Sequence, residues 1–140
     1  MISMILLSLI LHRDPATVGL IYRNAPAAPM LAVADVECES WFKWSARHPN
    51  YDKQGNLLST DWHWYQINDK AHNPYHNSRM AHAREGGRLL SVALLVARGD
   101  EVKAISYMNS GSLTKSMEWG AVVVTLASRL RNAVVFWGGK

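Results

Sequence analysis

Residues 30–40, MLAVADVECES, and residues 60–69, TDWHWYQIND, decide the reading of this chain. The first run holds few side chains that belong on a wet surface, so it predicts a helix buried on most sides with a carboxylate near its end. A buried carboxylate needs a chemical reason. The second run combines Asp61, packed aromatics and the amides of Gln66 and Asn68. That mixture is polar and aromatic in the way carbohydrate clefts are, and it is placed to fold back over the end of the helix.

Working outward, 140 residues suit one domain over 1–140, with enough chain for a real core. At 49% hydrophobic and 19% charged the composition is globular, and six Trp exceed what core filling usually demands. Some are therefore expected to be surface tools. The formal charge of +4 favours an anionic partner: nucleic acid, an acidic membrane or an anionic wall polymer. No Lys/Arg run and no basic–aromatic interleaving supports nucleic acid, so none is expected. Cys38 stands alone inside the apolar helix, which excludes an internal disulfide framework and predicts an inert buried thiol.

Residues 1–11 are apolar but short, with His12-Arg13 after them in place of a small-residue cleavage site. A first core helix is preferred over the remnant of a longer leader. Asp14-Pro15 supplies an N-cap and a proline at the first helical position, opening a short helix through about Tyr22. An Ala/Pro linker follows, and Pro29 starts the buried helix, which runs to about Trp41. Residues 48–59 read as a turn-rich surface loop. Residues 57–68 read as a β-hairpin or compact extended strand. Residues 116–137 form a second apolar run interrupted by Arg129 and Arg131, which makes a bilayer span costly. A packed C-terminal helix is expected. The minority alternative is an amphipathic, membrane-contacting helix bounded by Trp119 and Trp137. The tail from Gly138 to Lys140 should fray.

Glu37 and Glu39 lie about 200° apart on a helical wheel and cannot share one face. Periodicity leaves the choice open: Glu37 falls near the Met30, Ala34 and Trp41 stripe, while Glu39 shares a side with Asp35. The order of short motifs is more telling. Glu39-Ser40 is followed by Ala46, an Asn/Gly loop, Asp61 and Gln66-Ile67-Asn68. Farther on, Asn77 and Ala81 open a helix, and Ala104, Ser106, Tyr107, Met108, Asn109 and Gly111 form a box.

This series, spanning about 29–111, resembles the lysozyme-like superfamily, closest to the lytic transglycosylase and goose-type lysozyme domains. That group has a Glu-Ser at a helix end, an Asp-x-Gly-x-x-Gln-Ile-Asn type hairpin and an Ala-x-x-Tyr-Asn-x-Gly box. The resemblance implies a mainly α (α+β) lysozyme-like fold, with a central buried helix, a small β-hairpin lining a cleft and a helical segment over 112–140. It makes Glu39 the catalytic acid and Asp61 a candidate second carboxylate. Ser40, Trp62, Trp64, Tyr65, Gln66, Asn68, Tyr107 and Asn109 become candidate substrate contacts. The three aromatics of the hairpin are the expected sugar-stacking faces, whereas Trp41 and Phe42 are expected in the core.

Two departures stand out. His63 occupies the hairpin glycine's place, which implies either a different backbone or a side chain projecting into the site. Met108 displaces the Asn of the box by one, so Tyr107 carries over more directly than Asn109.

The implied activity is cleavage of the β-1,4 bond between N-acetylmuramic acid and N-acetylglucosamine in peptidoglycan by a lytic transglycosylase with a single Glu. The alternatives are a hydrolytic muramidase using Glu39 and Asp61, or a non-catalytic wall-binding or structural protein on the same scaffold. Burial of Glu39 would keep its proton for the leaving oxygen. No cofactor is implied, and the histidines show no metal-ligand spacing. The expected partner is the peptidoglycan glycan strand. The expected location is the periplasm or wall of a target bacterium, reached by a virion or a secretion machine, with the C-terminal apolar segment as a candidate contact to membrane or machine.

Overall fold

The computed structural model describes residues 2–138, with side chains from 5 to 137. Six helices and a small antiparallel sheet make up the described residues: α1 Ile2–Leu11, α2 Pro15–Asn24, α3 Pro29–Ser40, β1 Arg47–Tyr51, β2 Leu57–Trp62, β3 Ile67–Asn68, α4 Arg79–Val96, α5 Glu101–Ser110 and α6 Met117–Gly138. This is the mainly helical α+β arrangement expected of the chain. Gly139 and Lys140, expected to fray, lie outside the described residues.

The centre is α3. Six consecutive residues, Leu31 to Val36, are buried, because the helix is packed on α2, α4 and α6 and has no solvated stripe to provide. Pro29 opens it and a left-handed Trp41 closes it, with the Trp41 N–H donating to Glu37 O. The wheel ambiguity resolves around this axis. Glu37 leaves the core to take a bidentate hydrogen bond from Arg13, at 2.7 and 2.9 Å, whereas Glu39 turns into a cleft.

The supporting helices start where local chemistry directs. Asp14 accepts from Thr17 N at 2.8 Å, Ser78 from Ala81 N at 3.2 Å and Asp100 from Lys103 N at 3.1 Å; each satisfies an amide that has no partner inside its helix. Gly87 lets α4 close on the end of α2, since a Cβ there would stand 1.9 Å from Asn24 O. The C-terminal run is one helix, α6, packed through Val123, Ala127 and Leu130. Its end exposes Val135, Phe136 and Trp137. No single described helix is long and apolar enough to cross a membrane. In α1, Leu7 joins the core while Ile5 and Leu9 face outward.

The sheet corrects the sequence reading in one respect. Residues 47–51, taken largely as loop, form β1 and pair with β2 in the register Arg47↔Trp62, His48↔Asp61, Pro49↔Thr60 and Asn50↔Ser59, with an irregularity before Tyr51. The turn between them is held by Asp52, whose carboxylate accepts from Gln54 N and Asn56 N, both at 2.8 Å. β3 adds Asp61↔Asn68 and Trp62↔Ile67. The hairpin expected over 57–68 is β2–β3, closed by the turn at 63–66 with Ile67–Asn68 as its short return strand, and β1 adds a strand on the other edge of β2. Trp41, expected in the core, is 63% exposed with Lys43 Nζ 5.3 Å from its ring centroid, because the left-handed cap swings it off the helix. Phe42 does pack against the core.

Candidate active site

A cleft of about 690 Å³ runs between α3, the sheet and the α4–α6 side, and Glu39, Asp61, Tyr65, Gln66, Asn68, Tyr107 and Asn109 all line it. That volume suits a small-molecule or glycan site. Glu39 sits in the last turn of α3. Its Oε1 accepts from the Trp119 indole N–H at 2.9 Å and from Asn109 Nδ2 at 3.4 Å. With both donors on one oxygen, Oε2 is left for a proton. Burial pushes the Glu39 pKa up, opposed by the Trp119 and Asn109 hydrogen bonds; the Asp61 charge adds to the rise, and His48 works against it. The net direction is upward, which favours the protonated acid over the ordinary carboxylate.

The sheet supplies the opposite wall through strand parity. Ser59 and Asp61 alternate to one face of β2, next to Asn50 on β1 and Asn68 on β3, and all four line the cleft. Asp61 accepts from Asn50 Nδ2 at 3.0 Å and Asn68 Nδ2 at 2.8 Å. Asn68 Nδ2 also reaches Ser59 Oγ at 2.8 Å, and its Oδ1 receives the Lys70 and Ala71 amides. Gln66 donates to His63 O at 2.7 Å and thereby braces the turn joining β2 to β3.

Three expected substrate contacts are absent from the cleft, the first of them through the same parity. Trp62, one residue from Asp61, points the other way: its indole N–H donates to Asp69 at 3.1 Å and its ring meets His76 edge-on at 4.7 Å. Trp64 is 1% exposed and donates to Phe42 O, so it offers no stacking face. Ser40 is buried and bonds back to Val36 O at 3.0 Å within its own helix. Tyr65 does reach the cleft, but as a buried side chain whose ring covers Gly86. It is floor, not platform.

His63 follows neither course expected of it. Its φ of 61° lies in the left-handed region that glycine favours, and the ring turns away from the cleft to stack on Trp44 with centroids 3.9 Å apart. Contacts to Trp44 O and to His76 at 3.0 Å hold it there, and that packing offsets the cost of the left-handed backbone. Among the described residues no group of three or more His, Cys, Asp or Glu side chains is arranged for a metal ion. The Cys38 thiol is half-buried, and burial pushes its pKa up to about 11.

Two cleft features escaped the sequence reading. Trp119 lies beyond the stretch that carries the resemblance, and only the packing of α6 on α3 brings it to Glu39. Asp35 lines the cleft one turn before Glu39 and is 3% exposed; its i, i+4 spacing to Glu39 was the available signal. Asn109, displaced in the box, is the member that hydrogen-bonds Glu39, and Tyr107 lines the wall beside it. No family model, curated protein or solved structure matches this chain.

Proposed function

We propose that this protein is a peptidoglycan lytic transglycosylase in which Glu39 acts first as acid and then as base. The observation that carries the reading is the environment of Glu39: a carboxyl buried at a helix end, opening on a cleft, with one oxygen fixed by two N–H donors and the other left to hold a proton. Protonating the glycosidic oxygen breaks the bond to the anomeric carbon of N-acetylmuramic acid, where positive charge develops. The hydroxymethyl oxygen of the same sugar then attacks that carbon, and its proton passes to the Glu39 carboxylate. The product is an anhydro-muramyl end, with Glu39 protonated again. The peptidoglycan layer is then the place of action, and the net positive charge suits its anionic peptides and associated acidic polymers.

Hydrolysis is the second reading, and Asp61 favours it: its charge reaches Glu39 from the opposite wall. Yet Asp61 already accepts hydrogen bonds from two carboxamides, a setting that suits a fixed organiser of the sheet. Mass spectrometry of fragments released from purified peptidoglycan decides between the two. Anhydro-muramyl ends, with Asp61→Asn keeping activity within about tenfold, are expected; reducing ends with a loss nearer the 10²- to 10⁴-fold typical of acid–base groups would establish hydrolysis. Release of nothing from several wall types would leave a non-catalytic wall-binding protein.

Trp119 provides a second check. Its indole hydrogen bond lowers the Glu39 pKa, so Trp119→Phe is expected to raise it. Cleavage needs protonated Glu39, so activity fails as pH rises through that pKa. The alkaline limb of the variant's pH–rate profile should therefore move to higher pH, and an unmoved or acid-shifted limb would count against Glu39 as the proton donor.

A further inference from the structure

The helix that brings Trp119 to Glu39 ends in an apolar tip. Val135, Phe136 and Trp137 are consecutive on α6 and are 75%, 61% and 59% exposed. Successive residues turn about 100° around a helix, so three exposed in a row leave the last turn uncovered on most of its circumference. The rings of Phe136 and Trp137 meet edge-on with centroids 5.4 Å apart. Grouped exposed apolar side chains, unlike single ones, mark an interaction site.

Where the tip lies follows from the two helices that meet at the cleft. Asn109, near the end of α5, and Trp119, near the start of α6, both donate to Glu39, while Glu101, at the start of α5, pairs with Arg131 of α6. The two helices are therefore antiparallel, and the start of α5 marks the end of the protein away from Glu39. At about 1.5 Å per residue, Trp137 stands roughly 27 Å along α6 from Trp119 and about 9 Å beyond Arg131. Exposed Leu95 and Val96, in the last turn of α4, lead through Arg98 and Gly99 into the same end.

Charge indicates the partner. Residues 119–140 hold Arg129, Arg131 and Lys140 and no Asp or Glu. The two acids at the start of α5 are each matched, Asp100 by Lys103 and Glu101 by Arg131, whereas Arg98 and Arg129 are exposed. Arg129 lies about 12 Å back from Trp137 along the helix. A lipid bilayer fits this order: an apolar tip that enters the interface by about 5–10 Å leaves a cation behind it at the level of anionic headgroups. Tryptophan, with its apolar ring and polar N–H, suits that boundary.

We propose that the end of α6 docks this protein on the surface of an anionic lipid bilayer, with Phe136 and Trp137 in the interface, Arg129 toward the headgroups, and Glu39 held at the other end of the helix. The sequence alternative of a membrane-contacting helix bounded by Trp119 and Trp137 is thereby narrowed, since Trp119 belongs to the cleft and only the far end of α6 meets lipid. The docking does not depend on the reaction. Under the glycan reading it confines cleavage to strands close to a membrane.

The test is co-sedimentation with sucrose-loaded vesicles of phosphatidylcholine, alone or with about a third phosphatidylglycerol, of wild type, the double variant Phe136→Ser/Trp137→Ser, Arg129→Gln and Trp137→Phe. Wild type is expected to bind the anionic vesicles about tenfold more strongly than the neutral ones. The double variant should lose about tenfold or more of that binding, and Arg129→Gln about three- to fivefold. Trp137→Phe keeps an aromatic tip and should bind within about threefold of wild type, while quenching of tryptophan fluorescence by brominated acyl chains, clear in wild type, should fall away in it. Release of wall fragments by the double variant should stay within about twofold of wild type, because the tip lies roughly 27 Å from Trp119. Wild type that sediments with neither lipid, or a double variant that binds as wild type does, overturns the proposal. So does a dimer, seen by sedimentation velocity without lipid and dissolved by the same two substitutions, which would assign the tip to a second copy. Wild type that binds anionic vesicles but releases nothing from several wall types keeps the docking and removes the glycan reading.

Discussion

Glu39→Gln is expected to reduce the release of soluble fragments from purified peptidoglycan by roughly 10²- to 10⁴-fold, the range that a positioned acid–base group supplies. The substitution is close to isosteric. The amide oxygen it introduces can still accept from Trp119 and Asn109 as Glu39 Oε1 does now, so the wall of the cleft keeps its shape. Only the transferable proton is lost. Binding of glycan oligomers should therefore change little while turnover collapses, a fall in kcat with nearly constant KM. Glu37→Gln is the matched control two residues away. Glu37 faces Arg13, not the cleft, so its replacement should leave cleavage intact at a modest cost in stability, the ion pair being partly exposed. Equal cleavage by wild type and Glu39→Gln would remove Glu39 from the chemistry, and no cleavage by wild type would favour a wall-binding role.

The contrast between these two glutamates marks how far the sequence alone was legible. The buried helix could be read because Leu31 to Val36 leaves no polar stripe, and Pro29 and Asp14-Pro15 announce helix starts. Which glutamate entered the cleft could not be read from the wheel, because the answer depends on Arg13, brought to Glu37 from 24 residues away. The motif order identified Glu39, Asp61, Gln66 and Asn68 as cleft residues, and they line the cleft. It misplaced the tryptophans for a reason that was available. In a strand, neighbours alternate faces, so an inward Asp61 requires an outward Trp62. Trp64 then follows a left-handed residue, His63 at φ 61°, where alternation no longer applies and packing sends the ring into the core.

β1 was hidden by composition. Pro49, Asn50 and the Asp52–Asn56 turn lie so close together that strand and turn read as one loop. Trp119 was hidden by distance along the chain. No local pattern links residue 119 to residue 39, and only the packing of α6 on α3 joins them. Asp35 was visible on the wheel beside Glu39, but its importance lies in its burial in the cleft wall, which only three-dimensional packing reveals.

That burial gives a second large effect, on stability rather than cleavage. Asp35→Asn is expected to stabilise the protein at neutral pH and to steepen the rise of stability between about pH 5 and 7. The folded-state pKa of Asp35 is raised above the unfolded value by burial. Its contribution is therefore fully present below the unfolded pKa and is lost as pH rises through the folded one, because the unfolded chain ionises freely while the folded chain must hold the proton. His82 works in the opposite sense. Its Nδ1 meets Pro74 O at 2.7 Å and its Nε2 accepts from Tyr65 N at 3.3 Å, so the fold requires the neutral ring, and burial foremost lowers its pKa to about 4. Stability from His82 is present above the unfolded pKa and is lost as pH falls from about 6.5 toward 4, roughly 2 kcal/mol of it between pH 7 and 5. The carboxylates with lowered values, among them Asp52, Asp69 and Glu85, are ionised in both states across this window and leave the slopes alone. In wild type the Asp35 and His82 slopes oppose each other and the profile is flattened. With Asn at 35 one opposing slope is removed; that of Glu39, also raised by burial, remains, and the His82 slope shows more fully. Urea unfolding of both proteins at several pH values between 5 and 7 measures it directly; parallel curves would mean that Asp35 ionises in the folded state much as it does in the unfolded chain.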